Sequence, residues 1–162
     1  MQPLLILQLL FLLMIANGTP IIAKRIFGGY FSWPLDGGVS FFDGQPLFGR
    51  SKTIRGVAAA IIVTAAVAPL VGLNFSIGAI IAATAMFGDL LSSFTKRRLR
   101  LAASSKALAL DQVPESLLPL LVFRNALSLS AVDIAVCVIA FFVGEIVLSR
   151  ILYRLHVRDR PY

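Results

Sequence analysis

Apolar residues arrive in blocks along this chain, over 4–16, 57–73, 75–87, 117–123 and 131–148, separated by stretches that hold most of its charge and glycine. A bilayer core about 30 Å thick takes about 20 apolar residues per helical crossing, so this pattern points to helices packed in lipid. Composition agrees: the 162 residues are 58% hydrophobic and only 14% charged, against about 25% charged in a soluble domain, and the mean hydropathy is +0.88. A soluble enzyme is excluded. The one cysteine, Cys137, lies inside an apolar run, and the one histidine, His156, lies near the C-terminus. A disulfide framework and histidine or cysteine metal clusters are therefore excluded, and a histidine-based triad is disfavoured.

The net charge is +7, and its distribution indicates a membrane surface rather than nucleic acid. Residues 24–56 carry Lys24, Arg25, Arg50, Lys52 and Arg55 against Asp36 and Asp43; residues 88–115 carry five cations against three acids; the tail carries Arg150, Arg154, Arg158 and Arg160 against Asp159. Only Arg124 falls outside these three segments. By the positive-inside rule all three face the cytoplasm. Parity then requires the short block at 117–123 to cross. The expected architecture is all-α: a single membrane-embedded domain over 1–162, five transmembrane helices, N-terminus outside and C-terminus cytoplasmic, two cytoplasmic loops forming the site. A rival reading makes 117–123 re-entrant and puts the basic tail outside. The first block has no cation before it and no small-residue cleavage pattern after it, so it is expected to be retained rather than removed as a signal.

The first loop, expected over 17–56, holds eight of the twelve glycines together with Asp36, Asp43, Lys52, Thr53 and Arg55. Glycines permit close backbone approach, and Lys52 and Thr53 precede a helix whose first N–H groups lack helical partners, a composition suited to phosphate. The run GQPLFGRSKT imitates a phosphate-binding P-loop, but it has two extra residues before the lysine and no preceding strand, so that identification is rejected. A plain connector is the alternative, though some forty residues is long for one. The second segment is GDLLSSFTKRR over 88–98. Asp89, Ser92 or Ser93, and Lys96 fall on one helical face, with the acid and the lysine about 10 Å apart along the axis, a span suited to a metal-bound polyphosphate. Lys96, Arg97, Arg98 and Arg100 alone would read as a snorkelling anchor. Asp89 argues otherwise, because an acid within a span is costly and marks a functional site, with Mg²⁺ or a nearby cation as its partner. Asp111 is a second metal ligand or a helix N-terminal acid. Asp133 and Glu145 lack a surrounding motif and are expected to have structural partners such as Arg124 or water. Arg150, Arg154 and Arg158 form a basic stripe for anionic headgroups, with His156 inside it and without a catalytic role.

At these segments the chain resembles the CDP-archaeol synthases, integral membrane cytidylyltransferases related to the phosphatidate cytidylyltransferases. The matching blocks are NGTP from Asn17, PLDGG from Pro34, FDGQPLFGRSKTIRG over 42–56, GDLLSSFTKRR, and DQ at Asp111. The paired runs DG-x4-G-x-x-KT-x-RG and GDLxxSFxKRR are long and specific together. The HGG and DRxD elements of the larger phosphatidate enzymes are missing, and the acid that follows DQ in archaeal members is displaced here to Glu115, within VPES.

The resemblance implies attack of a lipid phosphate on the α-phosphorus of CTP, giving a CDP-activated lipid and pyrophosphate for phospholipid biosynthesis. A phosphomonoester is already largely dianionic at neutral pH, with a second pKa of about 6, so scarcity of histidine and cysteine is no obstacle. Catalysis instead needs Mg²⁺ on carboxylates and cations on phosphates. Asp89 is assigned as first metal ligand and Asp111 as second, with Lys52, Arg55, Lys96, Arg97 and Arg98 on phosphates. Asn17, Asp36, Asp43, Gly44, Gly49, Thr53, Gly56 and Ser93 are nucleotide or loop-ordering residues by resemblance. The lipid expected is a 2,3-bis-O-geranylgeranylglycerol 1-phosphate-like substrate, with diacyl phosphatidate as the alternative. CTP, the lipid phosphate and the bilayer are the expected partners, in the cell membrane. Two non-enzyme readings compete: a scaffold for anionic lipids, which gains nothing from Asp89, and a channel or transporter, which predicts polar residues near the midplane of several spans.

Overall fold

A computed structural model describes residues 1–101 and 110–155, apart from the Leu152 side chain. His156, Arg158 and Arg160 lie outside the described residues. Five α-helices succeed one another: α1 (Pro3–Phe27), α2 (Ile54–Val67) extended by a 3-10 turn (Ala68–Val71), α3 (Phe75–Arg98), α4 (Gln112–Val122) and α5 (Ala131–Arg154). Among the described residues there is no β-strand, only isolated bridges at Pro34–Thr53 and Ser40–Pro46 in the loop between α1 and α2. Four stretches, Pro3–Phe27, Ile54–Val71, Phe75–Arg98 and Ala131–Ile151, are long and apolar enough to cross a membrane. The 11 residues of α4 extend only about 16 Å.

The first helix outruns the expectation. The block over 4–16 is short for a crossing unless the helix runs past Asn17, and it does so: the loop expected from Asn17 starts later, because α1 continues through NGTP and Pro20 to Phe27. The polar side chains turn back on their own helix: Asn17 Nδ2 donates to the Leu13 carbonyl (3.0 Å) and Thr19 Oγ1 to the Ile15 carbonyl (2.6 Å). Such i−4 bonds spend the groups that would otherwise cap or turn the chain. Lys24 and Arg25 occupy the last turn, complementing the helix dipole. The loop therefore runs over 28–53.

The first two helices lie antiparallel, fixed by close contacts near both ends, and the later ones meet at glycines. Gly56 at the start of α2 meets Pro20 of α1, where an added Cβ would stand 3.3 Å from the proline Cβ. At the other end Gln8 Nε2 donates to the Val71 carbonyl (2.6 Å). Gly78 of α3 seats against Thr64 and Ala65 of α2, and Gly88 of α3 against Pro114 and Glu115 of α4. Met14 of α1 covers Gly144 of α5. The backbone N–H of Gln2 donates to Asp133 Oδ1 (3.1 Å), and its side chain donates to the Leu127 and Ser128 carbonyls. The chain between Gly88's contact and Leu127 thus travels from the level of Asp89 to the end of the bundle where α1 begins. Leu9, Leu12, Leu13 and Ala16 of α1 pack with Ile81, Ala82 and Ala85 of α3, Leu120 of α4, and Cys137 and Phe141 of α5. Leu7, Ile62, Leu70, Phe87, Ile139 and Val143 face outward, as lipid-facing side chains do. The small residues of α2 and α3 act in packing, as expected of interfaces that gain no hydrophobic drive from lipid.

Candidate active site

Asp89 stands nine residues before the end of α3, about 14 Å down the helix axis. Both of its carboxylate oxygens accept from Lys52 Nζ at 2.5 Å. Glu115 of α4 lies within hydrogen-bonding reach of the same carboxylate. About two turns beyond, Lys96 Nζ pairs with Asp111 at 2.7 Å. The face of α3 that carries this chemistry is buried as its spacing requires: Gly88, Ser92, Ser93, Lys96 and Arg97 all point inward. Lys52 and Asp89 come from segments remote in sequence. The loop brings the lysine in through Leu35 N–H to Lys52 O (2.8 Å) and Lys52 N–H to Gly49 O (3.1 Å). Burial works to discharge Lys52, but the carboxylates of Asp89, Glu115 and Asp111 outweigh it and hold its pKa above the ordinary value.

Asp36 organises the loop. Its carboxylate accepts from the backbone N–H groups of Gly38, Phe48 and Gly49, each at 3.0 Å. Partial burial opposes its charge, yet these three donors bring its pKa below the ordinary value. Gly49 adopts φ 91° and Gly44 φ 75°, conformations that favour glycine. A second clamp ties the loop to α3. Arg98 pairs with Asp43 (2.8 Å), donates to the Pro46 carbonyl (2.7 Å), and lies over the rings of Phe41 and Phe94 at 4.6 and 4.8 Å.

Other expected site residues make contacts within the scaffold in this structure. Thr53 caps α2 by accepting from Gly56 N–H (3.2 Å), and Ile54 N–H donates to the Trp33 carbonyl (3.1 Å). Two of the N–H groups at the start of α2 that were expected to face phosphate are thus satisfied from within. Arg55 donates to the carbonyls of Gly28 and Tyr30 and lies over Phe27; it braces the end of α1. Asn17 bonds within α1. Asp133 closes a capping box with Ser130 and accepts from Gln2, so its partner is not Arg124. Nor is Arg124 the partner of Glu145: Arg124 borders the first turns of α5, whereas Glu145 is electrostatically coupled to Glu115.

Glu115 is the residue beside Asp89 that its sequence position hid. Its displacement past DQ reads as a departure, yet Gly88 removes the side chain that would hold α4 off. A Cβ there would stand 2.4 Å from the Pro114 carbonyl oxygen and 2.8 Å from Glu115 N. The signal available was an acid beginning an apolar helix.

Among the described residues no group of three acids, histidines or cysteines is close enough to hold a metal. Two carboxyls in contact nevertheless need a proton or a cation between them, and carboxylate oxygens are the donors that Mg²⁺ takes, with one or two carboxylates sufficing when phosphates complete the shell. The donor set of Asp89 and Glu115, with Asp111 across Lys96, fits that ion.

Fold and site together define a multi-pass membrane protein whose polar chemistry, carboxylates paired with lysines, is sunk within a helical bundle and suited to phosphates. A family model described as CarS-like CDP-archaeol synthase matches residues 2–162, and the chain belongs to that family. It is similar to the CDP-archaeol synthases of Pyrobaculum calidifontis, 30% identical over 91% of both chains, and Sulfurisphaera tokodaii, 30% identical over 92% of this chain and 90% of that one. The match to the Hyperthermus butylicus CDP-archaeol synthase is 36% identical over 60% of this chain and 59% of that one. A solved structure described as an intramembrane enzyme for archaeal membrane lipids biosynthesis superposes with a TM-score of 0.69 at 28% identity, covering 85% of this chain and 90% of that one.

Proposed function

We propose that the chain transfers the cytidylyl group of CTP to a membrane lipid phosphate at the buried Lys52–Asp89 and Lys96–Asp111 pairs. Membership of the CDP-archaeol synthase family makes it a CTP-dependent cytidylyltransferase of lipid biosynthesis. The observation that carries the assignment to this site is the meeting of Asp89, Glu115 and Lys52 within the bundle, where no structural anchor needs an acid.

A lipid phosphomonoester oxygen attacks the α-phosphorus in line; the bond from that phosphorus to the bridging oxygen breaks, and pyrophosphate leaves with the electron pair. The attacking dianion needs no protein base. Lys52 and Lys96, each already balanced by an aspartate, exchange that partner for phosphate oxygens as substrates arrive, so their charge is poised without being stranded in lipid. Asp89 and Glu115, with Asp111 second, would hold Mg²⁺, which when bound supplies neutralisation of the crowded CTP phosphates. Asp36 and Arg98 keep the loop closed against α3 so that Lys52 stays at the site.

The topology that suits this reading has five crossings, the N-terminus outside and the site toward the cytoplasm. The contacts of Gln2 with Leu127 and Ser128 support it. A crossing of 11 helical residues suffices because α4 starts at the level of Gly88, already inside the bundle. The test is transfer of label from α-labelled CTP into organic-extractable lipid with purified protein, Mg²⁺ and an isoprenoid-ether or a diacyl lipid phosphate. Transfer from α-labelled but not γ-labelled CTP, abolished by chelation, is expected; no transfer to either lipid from folded protein would reject it.

A further inference from the structure

The end of the bundle away from the site carries a feature that cytidylyl transfer does not use. Between α4 and the first half of α5 an open groove of about 430 Å³ is lined by Leu117, Leu121, Ala131, Ala135 and Ile139, with Arg124 at its mouth. It exists because Ala131 and Ala135, one turn apart on α5, leave a depression that the leucines of α4 flank without filling. Arg124 is the one Lys or Arg outside the three basic segments. It sits in the turn after α4, at the end where Gln2 meets Leu127 and Ser128. Among the described residues its side chain has neither a hydrogen bond nor an ion pair. Asp133, the nearby acid of α5, is occupied by Ser130 and Gln2.

We propose that this groove is a binding site for a phospholipid of net negative headgroup charge in the leaflet opposite the active site, with one hydrocarbon chain along Ala131 and Ala135 and the anionic headgroup on Arg124. Charge and shape select that occupant together. A cation at the rim of an apolar slot between membrane helices is the arrangement that captures anionic headgroups, and guanidinium matches phosphate bidentately. An uncharged lipid fills the slot equally well but leaves Arg124 unmatched. The position at the opposite end separates this lipid from the substrate, whose phosphate must reach Lys52 and Lys96. Its effect is to fasten α4 against α5, and through α4 to steady Glu115.

Trp33 is the only tryptophan, which permits a site-specific test. Leu121→Trp in a Trp33→Phe background puts a single fluorophore on the groove wall, and the protein is placed in bilayers containing brominated phosphatidylglycerol or brominated phosphatidylcholine. Quenching is expected to favour phosphatidylglycerol by about fivefold in relative binding constant. That preference should vanish in Arg124→Gln and persist in Arg124→Lys. Equal quenching by the two lipids, or a preference that survives Arg124→Gln, would overturn the proposal. Ala135→Phe, which fills the slot and leaves the charge, should also abolish the preference, and its retention there would count against the groove.

Discussion

Glu115 and Asp89 share one local environment although they come from different helices, and each depends on the other for its role. Glu115→Gln keeps the shape and removes a candidate ligand charge. The Mg²⁺ concentration for half-maximal transfer is expected to rise by about tenfold or more, read from a metal titration of labelled-lipid formation; an unchanged requirement would remove Glu115 from the site. Asp36 gives a pH prediction. Because its pKa is lowered on folding, the loop order it supports is fully present above the ordinary value of 3.8 and is lost as pH falls below that toward the folded value. Trp33, in the same loop, should keep its emission on acidification from neutrality to pH 4 and change only beneath it; a change centred near pH 6 would contradict the assignment. Asp89, Lys96 and Ser93 were legible in the sequence because helical spacing within one segment decides which residues share a face. The Lys52–Asp89 pair, separated by 37 positions, and the Glu115 contact were not, since each depends on how separate elements pack.

At the level of elements, the glycines discriminate tight contacts from tolerant ones. Gly88→Ala would drive a Cβ into the Pro114 backbone at 2.4 Å. Moving α4 aside should destabilise the bundle by about 1–3 kcal/mol and displace Glu115, so transfer should fall even at temperatures where the protein stays folded. Gly144→Ala meets only the flexible end of Met14 and should leave transfer within about twofold, a change of less than 0.5 kcal/mol in the barrier. Equal transfer rates for the two variants would contradict the packing account. Apolar blocks announced each long helix, but their ends were less readable. The loop expected from Asn17 starts only after Phe27; in the fold, back-bonding by Asn17 and Thr19 accompanies a helix that runs on to Phe27. The start of α4 is seated against Gly88 of α3, a tertiary contact that the hydropathy of the short block at 117–123 does not register.

For the molecule as a whole, charge asymmetry predicts orientation. A cysteine at Ser40 in a Cys137→Ser background should be labelled by an impermeant reagent from the cytoplasmic side only, and one at Asn74 or Ser128 from the other side only. Labelling of Ser40 and Ser128 positions from the same side would reject five crossings. The central claim is that an acid buried in a span performs phosphate chemistry rather than balancing a membrane anchor. Its most direct test is the rate of label transfer from CTP to lipid phosphate by Asp89→Asn, in protein shown to be monodisperse and correctly oriented by the Asn74 label. Loss of a metal ligand and of the Lys52 partner predicts a fall of about a hundredfold or more, roughly 2.7 kcal/mol in the barrier. A rate within about twofold of the parent would contradict the account.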